Sequence, residues 1–307
     1  MINTAVAFIV YKRPDTTRKV FEAIRQARPP RLYLIADGPK TPDLDSKCRE
    51  VRQIVENGID WYCELRPVYS DINLGLAKRV QTGLNHVFSH EKEAIILEDD
   101  TLPDISFFNF CEELLLKYES EKKISHISGC NFHSEIFSSH HPYSYFFSSI
   151  INIWGWATWR RCWQTFDLSM DSWNNENKNE FLDNWCINSE QKKGMKQMFD
   201  LHCQNNDPWT WDYQWIYSCW KTNGLSITPI KNLVSNIGIG PNATHTVSEK
   251  LVPRFPKKIE NISFPLRHSP ITRDLILEKK YINKSRTPFS IKIKLRVREF
   301  LKRYFLV

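Results

Sequence analysis

The chain opens on TAVAFIVY, in which Ala5 to Tyr11 is apolar without interruption, the pattern of a strand covered on both faces. RPDTTRKVFEAIRQA follows, with Val20, Ile24 and Ala27 at helical spacing and Pro29-Pro30 as a stop. The alternation then repeats. RLYLIADGP predicts a second strand ending in an Asp-Gly turn, Cys48 to Asn57 a second helix, YCELRPVY a third strand, Leu76 to His90 a third helix, and AIILEDD a fourth strand. DISFFNFCEELL resumes helical periodicity at once. Strand and helix alternating this regularly predict an open α/β sheet, mostly parallel, whose ligands sit beyond the carboxyl ends of the strands. Asp37, Asn73 and the triplet Glu98-Asp99-Asp100 all fall at such ends.

With 307 residues and 41% hydrophobic content, the chain can bury one large core, or one core and a smaller lobe. The net charge is +7, but acidic residues run along most of the sequence, which argues against a nucleic-acid partner. Eight cysteines without a C-x-x-C pair fit reduced thiols and a cytoplasmic location. No apolar stretch reaches the roughly 18 residues of a membrane span, and YFFSSIINIWGWATW is broken by Ser148, Ser149 and Asn152. After about Pro253 the character changes. Lys292 to Arg303 holds six Lys or Arg against Glu299, a net of +5, and Val297, Phe300, Leu301, Tyr304 and Phe305 share a helical face. Such an end suits an anionic membrane surface, such as the inner face of the plasma membrane, and equally suits packing back onto the main body. The expected divisions are 1–104, 105–252 and 253–307.

Three consecutive carboxylates repel and raise one another's pKa unless a cation or well-placed donors offset them. A hard divalent ion, Mg²⁺ or Mn²⁺, would do so with one or two carboxylates and substrate phosphates; a solvated turn is the plainer alternative. In DINLGLAKRVQTGL, Asn73 and Gly75 form a turn before a helix that carries Lys78 and Arg79 early, a seat for phosphate or an ordinary helix start. Asp212 stands in DPWTWDYQWIYSCW among Trp209, Trp211, Tyr213 and Trp215. Desolvation there would lift its pKa toward that of a general base while aromatic faces stack on a sugar; otherwise it caps a core helix, with Asp207 as the second candidate base. His245 lies in the small-residue loop SNIGIGPNATHT as a ligand candidate or a solvated side chain. His133, His140 and His141 lack ligand spacing and read as a polar loop.

The turn motif N-x-G-x-x-x-A/R-x-x-x-G, followed by an apolar strand ending in E/D-D-D, resembles the nucleotide-sugar half of the GT-A glycosyltransferases, particularly family 2. A second resemblance, to N-acetylglucosaminyltransferase I-like enzymes, lies in the order Arg13, Asp37, EDDTLPDISFFNF, Gly155-Trp156 and PWTWDYQW, from Thr4 to Thr246 in outline. The resemblance implies a Rossmann-like GT-A sheet with an aromatic-rich acceptor half. It implies metal-dependent, inverting transfer from a nucleotide sugar, a UDP-sugar by preference, to a glycan or lipid-linked acceptor. Arg13 and Asp37 would hold the nucleotide and Lys78 the donor. Asp100 would ligate the metal with His245, Glu98 and Asp99 would flank the donor sugar, Asp212 would be the base, and Trp156 and Trp211 would line the acceptor cleft. No clear Q-x-x-R-W segment is present, a departure from family 2. The rivals are a sugar nucleotidyltransferase, which wants a Gly-rich loop where this chain has YKRPDTTRK, and a non-catalytic carbohydrate-binding or membrane adaptor.

Overall fold

The computed structural model describes residues 1–137, 141–204, 207–238 and 258–285. Its first half alternates as the pattern requires: β1 Val6–Val10, α1 Pro14–Ala27, β2 Arg31–Ala36, α2 Asp45–Glu56, β3 Glu64–Tyr69, α3 Leu76–His90 and β4 Glu93–Glu98. Then come β5 Thr101–Pro103, α4 Ile105–Lys117, β6 Ile124–Ser128, β7 Tyr145–Ser148, β8 Trp156–Trp159 and α5 Arg160–Trp163. The remainder is α6 Lys178–Trp185, α7 Ser189–Cys203, α8 Asp212–Lys221, β9 Leu225–Pro229, β10 Val234–Asn236 and α9 Leu275–Lys284.

Eight strands form one sheet in the order β3-β2-β1-β4-β8-β6-β9-β7, and β5 and β10 form a small antiparallel pair beside it. Strands β3, β2, β1, β4, β6 and β9 run the same way; β8 and β7 run against them. This is the mostly parallel α/β sheet that the alternation predicts. Every residue of β1 is buried, because helices cover both faces of the sheet there. Pro67 sits on the edge strand β3, where a missing ladder donor is tolerated.

The helices follow from local chemistry. Pro14 opens α1 with its φ already set, and Thr17, Val20, Phe21, Ile24 and Ala27 make the buried stripe. Gly75 precedes α3 at φ 77°, a left-handed turn that a side chain would strain. Asp104 caps α4 by accepting from the Ser106 N–H at 2.9 Å.

The second half packs aromatics against the sheet and then against each other. Trp156, Trp159, Trp163, Trp211 and Trp215 join the main core; Met170, Trp173, Leu182, Trp185, Phe199, Tyr217 and Trp220 form a second one. Helix α9 is tied on by polar groups. Fully buried Glu278 accepts from the Ser149 N–H at 3.2 Å, from the Ser149 hydroxyl, and from Arg273 Nε at 2.9 Å. The Tyr281 hydroxyl accepts from Phe132 N–H at 3.1 Å and Asn152 Nδ2 at 3.2 Å.

None of the eight cysteines forms a disulfide. Among the described residues, no helix is long and apolar enough to cross a membrane. His140, His245 and the basic segment from Lys292 lie outside the described residues.

Candidate functional site

Strand β4 carries the acidic triplet to the carboxyl edge of the sheet, and Thr101 shapes the turn. Its hydroxyl accepts from the Glu98 N–H at 2.9 Å and donates to the Glu98 carbonyl at 3.0 Å. The β5–β10 pair then holds the turn from the other side, with Ile237 N–H donating to the Asp100 carbonyl at 2.8 Å. Gly238 packs directly on the triplet. A Cβ there would stand 2.3 Å from Asp100 Oδ2 and 2.9 Å from Arg13 Nη1.

Arg13, the residue before α1, places Nη1 2.6 Å from Asp100 Oδ2 and 3.7 Å from Asp99 Oδ1. The Tyr11 N–H donates to Asp99 Oδ2 at 3.1 Å. No hydrogen-bond donor among the described residues reaches the Glu98 carboxylate. Burial pushes Glu98 up to about 8, helped by the charges of Asp100, Asp99 and Asp212, against the opposing pull of Arg13. Burial and Asp100 likewise push Asp99 up to about 7. One guanidinium leaves the group short of positive charge. The Asp212 carboxylate at the start of α8 adds to the negative field at Glu98.

Among the described residues, no three His, Cys, Asp or Glu side chains gather into a ready-made metal cage. The donors at the triplet are hard carboxylate oxygens, and those of Glu98 have no hydrogen-bond donor among the described residues. That fits a hard divalent cation held by one or two carboxylates, with phosphate oxygens completing its shell.

Asp37 sits at the end of β2 and is 5% exposed. Its Oδ1 accepts from the N–H groups of Gly38 at 3.0 Å and Leu74 at 2.9 Å; its Oδ2 accepts from Gly75 N–H at 3.0 Å and Asn73 Nδ2 at 3.1 Å. A carboxylate offers about four acceptor positions, and all are taken. Burial raises the Asp37 pKa, and the N–H groups of Leu74, Gly38 and Gly75 pull it back. The side chain staples the Asn73–Gly75 turn and thereby sets where α3 begins.

Behind that staple lies Arg79, on α3 and 5% exposed, whose Nε has no partner. Burial lowers its pKa while Asp37 supports its charge. The sequence motif offers it with Lys78 as a seat for phosphate, and the structure separates the two: Arg79, one turn after Gly75, is the buried one. Lys78, beside it, points outward instead, with Nζ 2.8 Å from Asp207 Oδ1 and both side chains well exposed.

Asp212 is the first residue of α8, and the Thr210 hydroxyl donates to its Oδ1. Three aromatics nearby differ sharply in what they can touch. Trp156 and Trp211 are each 1% exposed and stack on one another at 5.5 Å, so neither presents a ring face to a sugar. The expectation that this pair lines the acceptor cleft is corrected: both belong to the core. Trp209 is 44% exposed and meets the His202 ring at 5.3 Å. Fully buried His202 stacks on Tyr213 at 5.3 Å with both ring nitrogens unpartnered; burial lowers its pKa and the Asp212 charge acts the other way. His133 contacts Ser285 Oγ at 2.7 Å and Glu135 at 3.4 Å, the polar loop contact expected of it.

No protein-family model matches the sequence, and no curated protein matches it closely enough to count as a relative. Solved structures with partial likeness include HddC from Yersinia pseudotuberculosis, at 8% identity and TM-score 0.30 over 51% of this chain and 78% of that one. Another is a UDP-glucose pyrophosphorylase complexed with UDP-glucose, at 10% identity and TM-score 0.31 over 54% of this chain and 79% of the other. Alignments this shallow carry no functional argument, and the chemistry has to be read from the side chains.

Proposed function

We propose that this chain is a metal-dependent glycosyltransferase that moves a sugar from a nucleotide sugar, a UDP-sugar by preference, to a glycan or lipid-linked acceptor at the cytoplasmic side of a membrane. The reading is supported by the gathering of Glu98, Asp99 and Asp100 at the carboxyl edge of β4, where Arg13 Nη1 stands 2.6 Å from Asp100 Oδ2, with Asp212 at the start of α8 as the second carboxylate.

A bound Mn²⁺ or Mg²⁺, ligated by Asp100, would supply charge neutralisation to the departing diphosphate. The chain's own residues do the rest. Arg13 and Arg79 contribute fixed positive charge where the nucleotide's phosphates lie, beside the start of α3. Asp212 accepts the proton of the acceptor hydroxyl as its oxygen bonds to the anomeric carbon. The bond from that carbon to the diphosphate breaks on the opposite face, and the diphosphate leaves with the electron pair. Inversion follows from that in-line arrangement. Trp209, 44% exposed and three residues before Asp212, is the aromatic assigned to the acceptor sugar.

The test is hydrolysis and transfer assayed over a panel of UDP, GDP and dTDP sugars with Mn²⁺. Asp100→Ala is expected to lower turnover by about 10²–10³-fold, the size of losing a key transition-state contact. Asp212→Asn is expected to lower it by about 10²–10⁴-fold while donor binding persists. A sugar nucleotidyltransferase would instead release pyrophosphate from a nucleoside triphosphate and a sugar 1-phosphate. Against that rival, only Tyr11, Lys12 and Arg13 separate β1 from α1, with no glycine loop to cradle a triphosphate. An adaptor would show no turnover with either set of substrates.

A further inference from the structure

We propose that the outward face of α9 is a docking surface for an anionic phospholipid membrane. Along this helix Glu278 and Tyr281 point inward and are buried, while Leu275, Ile276, Lys279, Lys280 and Asn283 are exposed. Leu275 is 55% exposed and Ile276 72%, two large apolar side chains side by side in water. One turn further on stand Lys279 and Lys280, and no carboxylate among the described residues lies within ion-pair distance of either. Lys284, by contrast, is committed to Glu135 at 2.9 Å. Apolar side chains followed by unpaired lysines on one helix face are what an interfacial helix needs: the first enter the headgroup boundary and the second meet its phosphates.

The face cannot roll inward. The Glu278 hydrogen bonds to Ser149 and Arg273, and those of Tyr281 to Phe132 and Asn152, fix the rotation of α9 about its axis. The chain leaves the helix at Ser285, held to His133 at 2.7 Å, and continues into the sequence whose stretch 292–303 carries a net +5. Charge decides among the occupants. That segment folded back over Lys279 and Lys280 would bring like charges together, and so would a second copy set face to face. An anionic lipid surface takes both basic groups at once.

This inference does not rest on the transfer chemistry, so vesicle binding and nucleotide binding can fail separately. The experiment is co-sedimentation of the full chain with mixed phosphatidylcholine–phosphatidylserine vesicles and with pure phosphatidylcholine vesicles, at low and high salt. The wild type is expected to pellet with the anionic vesicles, weakly with the neutral ones, and less as salt rises. Lys279→Gln with Lys280→Gln is expected to weaken anionic binding by about ten- to thirtyfold, and Leu275→Ser with Ile276→Ser by a similar factor. All four side chains are exposed, so thermal unfolding should stay at the wild-type temperature and report intact folding. Equal binding to both vesicle types, no binding to either, or wild-type affinity in either double variant overturns the proposal.

Discussion

Replacing Glu98 by glutamine should stabilise the metal-free protein at pH 8 and leave it unchanged near pH 5. The folded-state pKa of Glu98, about 8, lies above its ordinary value of 4.5. Between those two values the native state binds the proton and the unfolded chain does not. Stability is therefore lost as pH rises through that window, the reverse of a salt-bridged carboxylate. At ~1.4 kcal/mol per pH unit the full interval corresponds to about 5 kcal/mol. Part of it is repulsion shared with Asp99 and Asp100, and the measurement begins above the unfolded value, so a difference of about 3 kcal/mol between pH 5 and pH 8 is the working figure. For a chain of this length that is roughly 6 °C in Tm. The assay is thermal unfolding of both proteins across this range without metal and then with Mn²⁺. Other titrating groups, including Glu93 at about 7 and His126 at about 4, are common to both proteins and cancel in the difference. Mn²⁺ should raise the wild type at pH 8 more than the variant, because the ion replaces the missing positive charge. Parallel Tm curves for the two proteins, or a variant destabilised equally at both ends, would refute the reasoning.

Gly238→Ala should weaken Mn²⁺-dependent nucleotide binding by about 10–100-fold in a titration, since its methyl group presses on the Asp100 carboxylate and on the Arg13 guanidinium paired with it. Arg79→Met keeps the shape of a buried side chain and removes its charge; thermal unfolding of the unliganded protein should hold or improve, while nucleotide affinity falls about tenfold or more. Glu278→Ala leaves Arg273 without its carboxylate partner in the interior and should cost about 3–5 kcal/mol in denaturant unfolding, with nucleotide binding per folded molecule intact.

The frame of the site was legible because it rests on short-range patterns. Continuous apolar runs end where parallel strands end, and charged residues immediately after such runs have one place to go, the carboxyl edge. This is why Asp37, Asn73 and the Glu98 triplet could be assigned to one edge from spacing alone. What stayed hidden depends on contacts far apart in the chain. Nothing in RLYLIADGP announces that both oxygens of Asp37 are filled by donors from Gly38 and residues 73–75, most of them some 36 positions later, so a residue that looks poised to bind a nucleotide is occupied in building the turn. Trp156 and Trp211 were ambiguous for a different reason: tryptophan serves equally as core and as sugar platform, and only burial separates the two uses.

The same distinction redistributes the chemistry. If Asp37 is saturated, recognition of the nucleotide passes to groups with capacity to spare, and the structure leaves few of them. Arg79 has an unpartnered Nε directly behind the staple, and no hydrogen-bond donor among the described residues reaches the Glu98 carboxylate. Both are held at energetic cost by burial, and the carboxylate also by its acidic neighbours. A fold relaxed for stability alone would have paired them or replaced them. A buried guanidinium and a cluster of acids on one sheet edge are accounted for by a ligand that carries phosphate for the arginine and a divalent cation for the acids. A metal-bound nucleoside diphosphate has both, which ties the electrostatic frustration of the empty protein to the substrate class proposed for it.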